Sequence, residues 1–203
     1  MKNDILRLDY RVIARIIPEG ARVLDLGCGD GELMDLLQKE KKAKVQGVEL
    51  NEQSIYKCVA KGLSVVHSNL DKGLTGFPDQ AFDYVILNES LQEVRNVELL
   101  LRETFRVGRR AIVGFPNFGN WKARTMIFFR GQTPVTKSLP YHWYDTPNLR
   151  FLTIKDFEEY CAVESLKIIE SHCLAAKSEV RLWPNLFAST AIFVVAPKGG
   201  NPT

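Results

Sequence analysis

The chain has 203 residues, of which 45% are hydrophobic and 25% charged, and its formal net charge is +3. That length suits one folded unit over residues 1–203 with a core of its own. The composition excludes collagen-like, low-complexity and disulfide-dense classes.

Ile5, Leu8, Val12, Ile13, Ile16 and Ile17 recur at helical spacing, and Pro18-Glu19-Gly20 stops that helix before the buried strand ARVLDLG. Leu33, Met34, Leu36 and Leu37 fit a helix that starts at Asp30-Gly31, with Asp30 as its N-cap, and ends in the lysines near 39–44. AKVQGVEL reads as a second strand. Asn51 caps a third helix that runs to about Lys61 and stops at Gly62. LSVVHSNL and FDYVILN are strands, EVRNVELLLRETFRV is a helix and RRAIVGFP a strand. Strands alternating with helices of this length imply right-handed crossovers and a doubly wound, mostly parallel α/β sheet.

After Pro116 the alternation pauses, and residues 116–150, rich in Gly, Pro and aromatics, read as a lid or insertion in which WKARTMIFF forms a short helix. Thr153 caps TIKDFEEYCAVE, with Asp156 at the third helical position. SLKIIESHCLA and TAIFVVAP then complete seven strands, and KGGNPT forms a tail.

Basic residues gather between Arg95 and Arg130, where Glu98 and Arg102 stand at i,i+4. This suits either an anionic partner or a solvated helix face. No aromatics interleave with them as in a nucleic-acid stacking platform, so nucleic acid is not expected. Cys28, Cys58, Cys161 and Cys173 are too widely spaced for a zinc site or a disulfide framework, and His67, His142 and His172 too scattered for any metal site. Charges at Arg7, Asp9, Arg11 and Arg15 interrupt any signal-peptide core, and no apolar run is long enough to span a membrane. Reduced thiols in a cytoplasmic protein are the expectation.

The functional signal is VLDLGCGDG, Val23 to Gly31. In a doubly wound sheet the turn after the first strand borders the ligand crevice, and Gly27, Gly29 and Gly31 let the backbone turn sharply there. Glu49 ends the following strand, at the spacing where a carboxylate accepts hydrogen bonds from the two hydroxyls of a ribose. The third glycine comes one residue earlier than in GxGxxG, and Asp25 and Asp30 flank the loop. A pyrophosphate suits such a loop poorly, whereas the sulfonium cation of S-adenosylmethionine suits it well. An NAD-binding oxidoreductase stays as the alternative.

VLDLGCGDG followed by GVEL resembles the first two motifs of class I S-adenosylmethionine-dependent methyltransferases over roughly Ala21 to Pro116. The resemblance implies a Rossmann-like fold whose last strand is antiparallel. It further implies that Asn69 meets the adenine amino group through its amide oxygen, that Leu70 packs on the adenine, and that Asn88 faces the methionine half and the reacting methyl. NLDKGL, FDYVILNESLQEV, IVGFPNFGNWKAR and LPYHWYDTPN resemble, more narrowly, the MetW family of methionine biosynthesis. That likeness implies a cytoplasmic protein that binds S-adenosylmethionine or S-adenosylhomocysteine and works with homoserine O-acetyltransferase. It names no methyl acceptor.

Methyl transfer needs an aligned nucleophile and sometimes a general base. Asn88-Glu89-Ser90-Leu91 lacks the prolines and aromatic of the amine-methylating motif. The remaining candidates lie in the long connection: Asn117, Trp121, Arg124, and Tyr141 to Asp145. His142 is the candidate base; packing within its aromatic cluster is the competing role. Two functions stay open: a small-molecule methyltransferase, or an accessory subunit that senses S-adenosylmethionine.

Overall fold

The computed structural model describes residues 7–176 and 178–199, so Ile5 of the expected first helix and the tail from Gly200 lie outside the described residues. The strands are β1 (Arg22–Leu26), β2 (Lys44–Glu49), β3 (Ser64–His67), β4 (Phe82–Asn88), β5 (Gly108–Pro116), β6 (Leu166–Leu174) and β7 (Thr190–Pro197). They form one seven-stranded sheet in the order β3-β2-β1-β4-β5-β7-β6. β1 pairs in parallel with β2 and β4, and β7 runs antiparallel to both β5 and β6. The doubly wound sheet with an antiparallel last strand is the expected one.

Strands β1 and β4 alternate side chains between two cores. Val23, Tyr84 and Ile86 point toward a layer holding α1 (Leu8–Ile16), α2 (Glu32–Lys41) and α3 (Glu52–Ala60), which contribute Val12, Ile13, Met34, Leu37 and Cys58. Leu24, Leu26, Val85 and Leu87 point toward α4 (Val97–Val107) and α6 (Ile154–Val163). There Phe115, Phe157 and Phe193 bring their ring centroids within 5.0–5.9 Å of one another.

Local chemistry sets several helix ends. Asn51 Oδ1 accepts from Ser54 N at 3.1 Å, and Thr153 with Asp156 completes a capping box on α6. α4 starts later than its apolar pattern suggests because Asn96 caps it by accepting from Leu99 N. Glu98 and Arg102 are not among the ion pairs of the described residues; Arg106 instead binds Glu103 at 2.8 Å and Asp79 at 2.6 Å.

α5 (Trp121–Arg130) is the expected short helix of the long connection. Beyond the expected set are two 3-10 turns, Leu70–Lys72 and Leu91–Glu93, and the single turn α7 (Pro184–Phe187), with Pro at its first position after a left-handed Trp183. Sheet order turns back between β1 and β4, since the chain leaves β1 for β2 and β3 and then returns to β4 on the other side. The crevice at the carboxyl ends of these two strands is where such folds bind ligands.

Candidate functional site

β1 ends at Leu26, and the chain then turns through Gly27 and Gly31 with φ of +76° and +74°. Space also demands glycine at both: a Cβ on Gly27 would stand 2.9 Å from Ser90 Cβ, and one on Gly31 2.5 Å from Leu63 Cδ1. Gly27 N and Cys28 N donate to Val48 O at 2.8 and 3.2 Å, which fixes the start of the loop against β2.

Gly31, in the left-handed conformation and without a side-chain cap, is the N-cap of α2. This corrects the placing of Asp30 there. The turn at Gly31 sends Asp30 toward α3, where its carboxylate accepts from Ser54 Oγ at 2.9 Å and Lys57 Nζ at 2.8 Å. Those two bonds hold the carboxyl below its usual range. Asp30 therefore leaves the first amides of α2 uncovered, and its value as an argument against phosphate passes to the charge of the whole cleft.

Glu49 joins two loops. Its Oε2 accepts from Gly29 N at 2.8 Å, and its Oε1 accepts from Leu50 N and Asn51 N, both at 2.8 Å. A carboxylate offers about four lone-pair positions, so one remains on Oε2. The ribose hydroxyls expected on this carboxylate would share it with three backbone amides.

Asn69 caps the 3-10 turn Leu70–Lys72, with Oδ1 accepting from Asp71 N at 2.9 Å. The oxygen assigned to an adenine amino group already has one partner. Asn88 Nδ2 donates to Asp9 Oδ2 at 2.9 Å, while its Oδ1 is buried against Gly114 without a partner. Asp9 Oδ2 also accepts from Arg7 Nη2 at 2.7 Å, and that nitrogen reaches Glu89 Oε2 at 2.6 Å. This network closes one end of the cleft from the amino-terminal helix. Its partners are 79 and 82 residues apart in sequence, beyond the reach of any local pattern.

These elements border a cleft of about 1240 Å³. Gly27, Gly29, Glu49, Asn69, Leu70 and Asn88 all line it. Asp25 and Gly31 do not: both are buried beneath the loop and support it from below. Burial, and then the charge of Glu49, push Asp25 up to about 7. Asp30, Glu32, Glu49, Asp71, Glu89 and Glu93 outnumber Arg7, Lys72 and Arg95 around the cleft, so its field favours a cation and opposes a pyrophosphate.

The long connection reaches the cleft through Tyr141 and Pro147. His142 does not line it. Its ring stacks on Tyr144 with centroids 5.3 Å apart and lines the neighbouring grooves beside Trp143. Asn117 is buried and donates from Nδ2 to Asn185 O and Ala188 O at 3.1 and 2.9 Å. Arg124 Nε donates to Gly119 O at 2.6 Å. Ser90, which sequence reading did not single out, lines the cleft with a buried, unpartnered Oγ against Gly27. All four cysteines are free and buried. Among the described residues no His, Cys, Asp and Glu cluster could hold a metal, and no helix is long and apolar enough to cross a membrane.

The family model for methionine biosynthesis protein MetW matches residues 7–195. The chain belongs to the MetW family. This MetW-family chain is 36% identical over 204 residues to the bifunctional methionine biosynthesis protein MetXA/MetW of Rhodopirellula baltica, a match covering 94% of the chain and 33% of that protein. The chain thus spans about a third of that relative's length. Its fold resembles the S-adenosylmethionine-dependent methyltransferase of Mesorhizobium loti, with a TM-score of 0.68, 18% identity and coverage of 93% of this chain and 97% of that one. It likewise resembles a methyltransferase of the same kind from Archaeoglobus fulgidus, with a TM-score of 0.64, 21% identity and 93% of each chain covered. At these identities the likeness is one of fold.

Proposed function

We propose that this MetW-family chain binds S-adenosylmethionine in the acidic cleft and acts with homoserine O-acetyltransferase in methionine biosynthesis, as the subunit that senses the ligand. One observation carries the ligand assignment: a tight glycine turn, clasped by Glu49, opens onto a cleft whose lining carries twice as many carboxylates as cations. That lining suits a nucleoside joined to a sulfonium and disfavours NAD. Glu49 and Leu70 would hold the nucleoside, and the carboxylates beside Asn88 and Ser90 would face the cationic end. When bound, the ligand supplies an activated methyl group. In this reading residues 116–150 act as the lid, with Tyr141 and Pro147 at its edge. The MetXA/MetW relative supports the partner, because it carries both names in a single protein.

A second reading, methyl transfer to a small molecule, is favoured by size. The cleft, at about 1240 Å³, exceeds the roughly 300–1,000 Å³ of common ligand pockets.

Titration calorimetry tests the assignment. S-adenosylmethionine and S-adenosylhomocysteine should bind, NAD should not, and Glu49→Gln should weaken binding at least tenfold, since hydrogen bonds to a charged group contribute about 1.5–3 kcal/mol. Tight NAD binding, or no heat with either adenosyl compound, refutes it. Formation of S-adenosylhomocysteine in the presence of pathway metabolites would select the second reading.

A further inference from the structure

We propose that the aromatic face formed by α5 and residues 141–144 is the surface on which the chain docks its acyltransferase partner. The inference rests on the reading that such a partner exists, and it adds where that partner sits.

The exposed side of this region is unusually apolar. Phe128 is 81% exposed, Phe129 75%, Trp143 74% and Tyr144 69%. Exposed single apolar residues are ordinary, but clustered aromatics mark interaction sites, and aromatics are enriched in protein interfaces. The core does not require them. α4 buries Leu100, Leu101, Thr104 and Val107, whereas α5 buries Ala123 alone. What anchors α5 lies at its start: Asn120 Nδ2 donates to Ala188 O at 2.9 Å, and Arg124 Nε to Gly119 O. The helix is held by polar clamps and turns its large side chains outward.

Phe128 and Phe129 meet edge to face with centroids 4.9 Å apart, and a groove of about 680 Å³ beside them on the same helix, lined by Met126, Gly131, His142 and Trp143, joins α5 to the following segment. Tyr141 borders both this region and the ligand cleft. A partner seated on the face therefore rests on the segment that walls the cleft, so ligand and partner can bias one another's binding reciprocally.

Charge selects the occupant. Lys122 and Arg130 are exposed on α5 and belong to no ion pair among the described residues. A second copy docked symmetrically would bring like charges together, whereas a partner with an acidic rim complements them. In the MetXA/MetW relative, the two parts share one chain, which gives each a high effective concentration for the other.

The test measures binding of homoserine O-acetyltransferase from the same genome by interferometry, alongside thermal unfolding and sedimentation. Phe128→Ala/Phe129→Ala and Trp143→Ala should each weaken the complex at least tenfold, and Lys122→Glu should weaken it and flatten its salt dependence. Tyr56→Ala, which removes an aromatic of 71% exposure from α3, should change it less than twofold. The Phe128→Ala/Phe129→Ala variant should unfold thermally within a few degrees of the wild type, as expected for side chains 81% and 75% exposed, showing that the fold is intact. If the wild type binds the acyltransferase and the face variants bind equally well, the surface is wrong and the partner stands. If the wild type shows no binding at micromolar concentration, the partner reading fails and takes this proposal with it. If the variants abolish self-association and spare the acyltransferase, the face belongs to a second copy.

Discussion

Asp25 is a carboxyl placed where ionisation is costly. It is 3% exposed, and burial followed by the charge of Glu49 raises it from 3.8 to about 7. Between those pH values the folded chain holds its proton more tightly than the unfolded chain, so this residue's contribution to stability falls as the pH rises. Asp25→Asn removes that dependence. Urea unfolding should show the variant close to wild type near pH 4 and progressively more stable than it toward pH 7, by at most ~1.4 kcal/mol per pH unit. A gap that does not change with pH would show that Asp25 titrates normally. Gly27 combines a φ of +76° with a Cβ position 2.9 Å from Ser90 Cβ. Gly27→Ala should cost about 1–3 kcal/mol in thermal unfolding, and adding Ser90→Gly should recover the steric share alone. The glycines were legible in sequence because their spacing reports local backbone geometry. The partners of Glu49 and Asp30 were not, because they depend on how α3 and the loop meet in space.

Elements of the α/β alternation were legible for the same local reasons. Apolar periodicity marked α2 and α4, and Thr153 with Asp156 marked the start of α6. That cap admits a direct test. Thr153→Ala removes the side-chain oxygen that accepts from Asp156 N at 3.2 Å and should lower stability by about 1 kcal/mol, while Thr153→Ser should retain most of it in the same thermal measurement. α7 escaped the pattern because a single turn is too short to show a period, although Pro184 after Trp183 is a usable start signal. The apolar spacing of α1 marks a helix, and its Val12, Ile13 and Ala14 are buried in the core. That its first turn also reaches Asn88 and Glu89 is a tertiary fact with no local trace.

At the scale of the molecule, strand alternation predicted parallel crossovers, but it carried no information on lateral order, which only the packed sheet displays. The same limit applies to the long connection. Its length and aromatics flagged it, yet which of its residues line the cleft follows from the route of the backbone, which brings Tyr141 to the cleft and leaves His142 in the neighbouring groove. The placing of β7 has a consequence for how the chain is made. β6 has β7 as its neighbour in the sheet, and β7 is the last strand in sequence. Until residues 190–197 leave the ribosome, the edge of β5 stays open, β6 has nothing to pair with, and Phe193 is missing from beside Phe115 and Phe157. The glycine loop and the strands around it can assemble early during synthesis, but the sheet closes only once Thr190–Pro197 has emerged, and a nascent chain stalled before Thr190 would expose two unsatisfied strand edges to any neighbour able to pair with them.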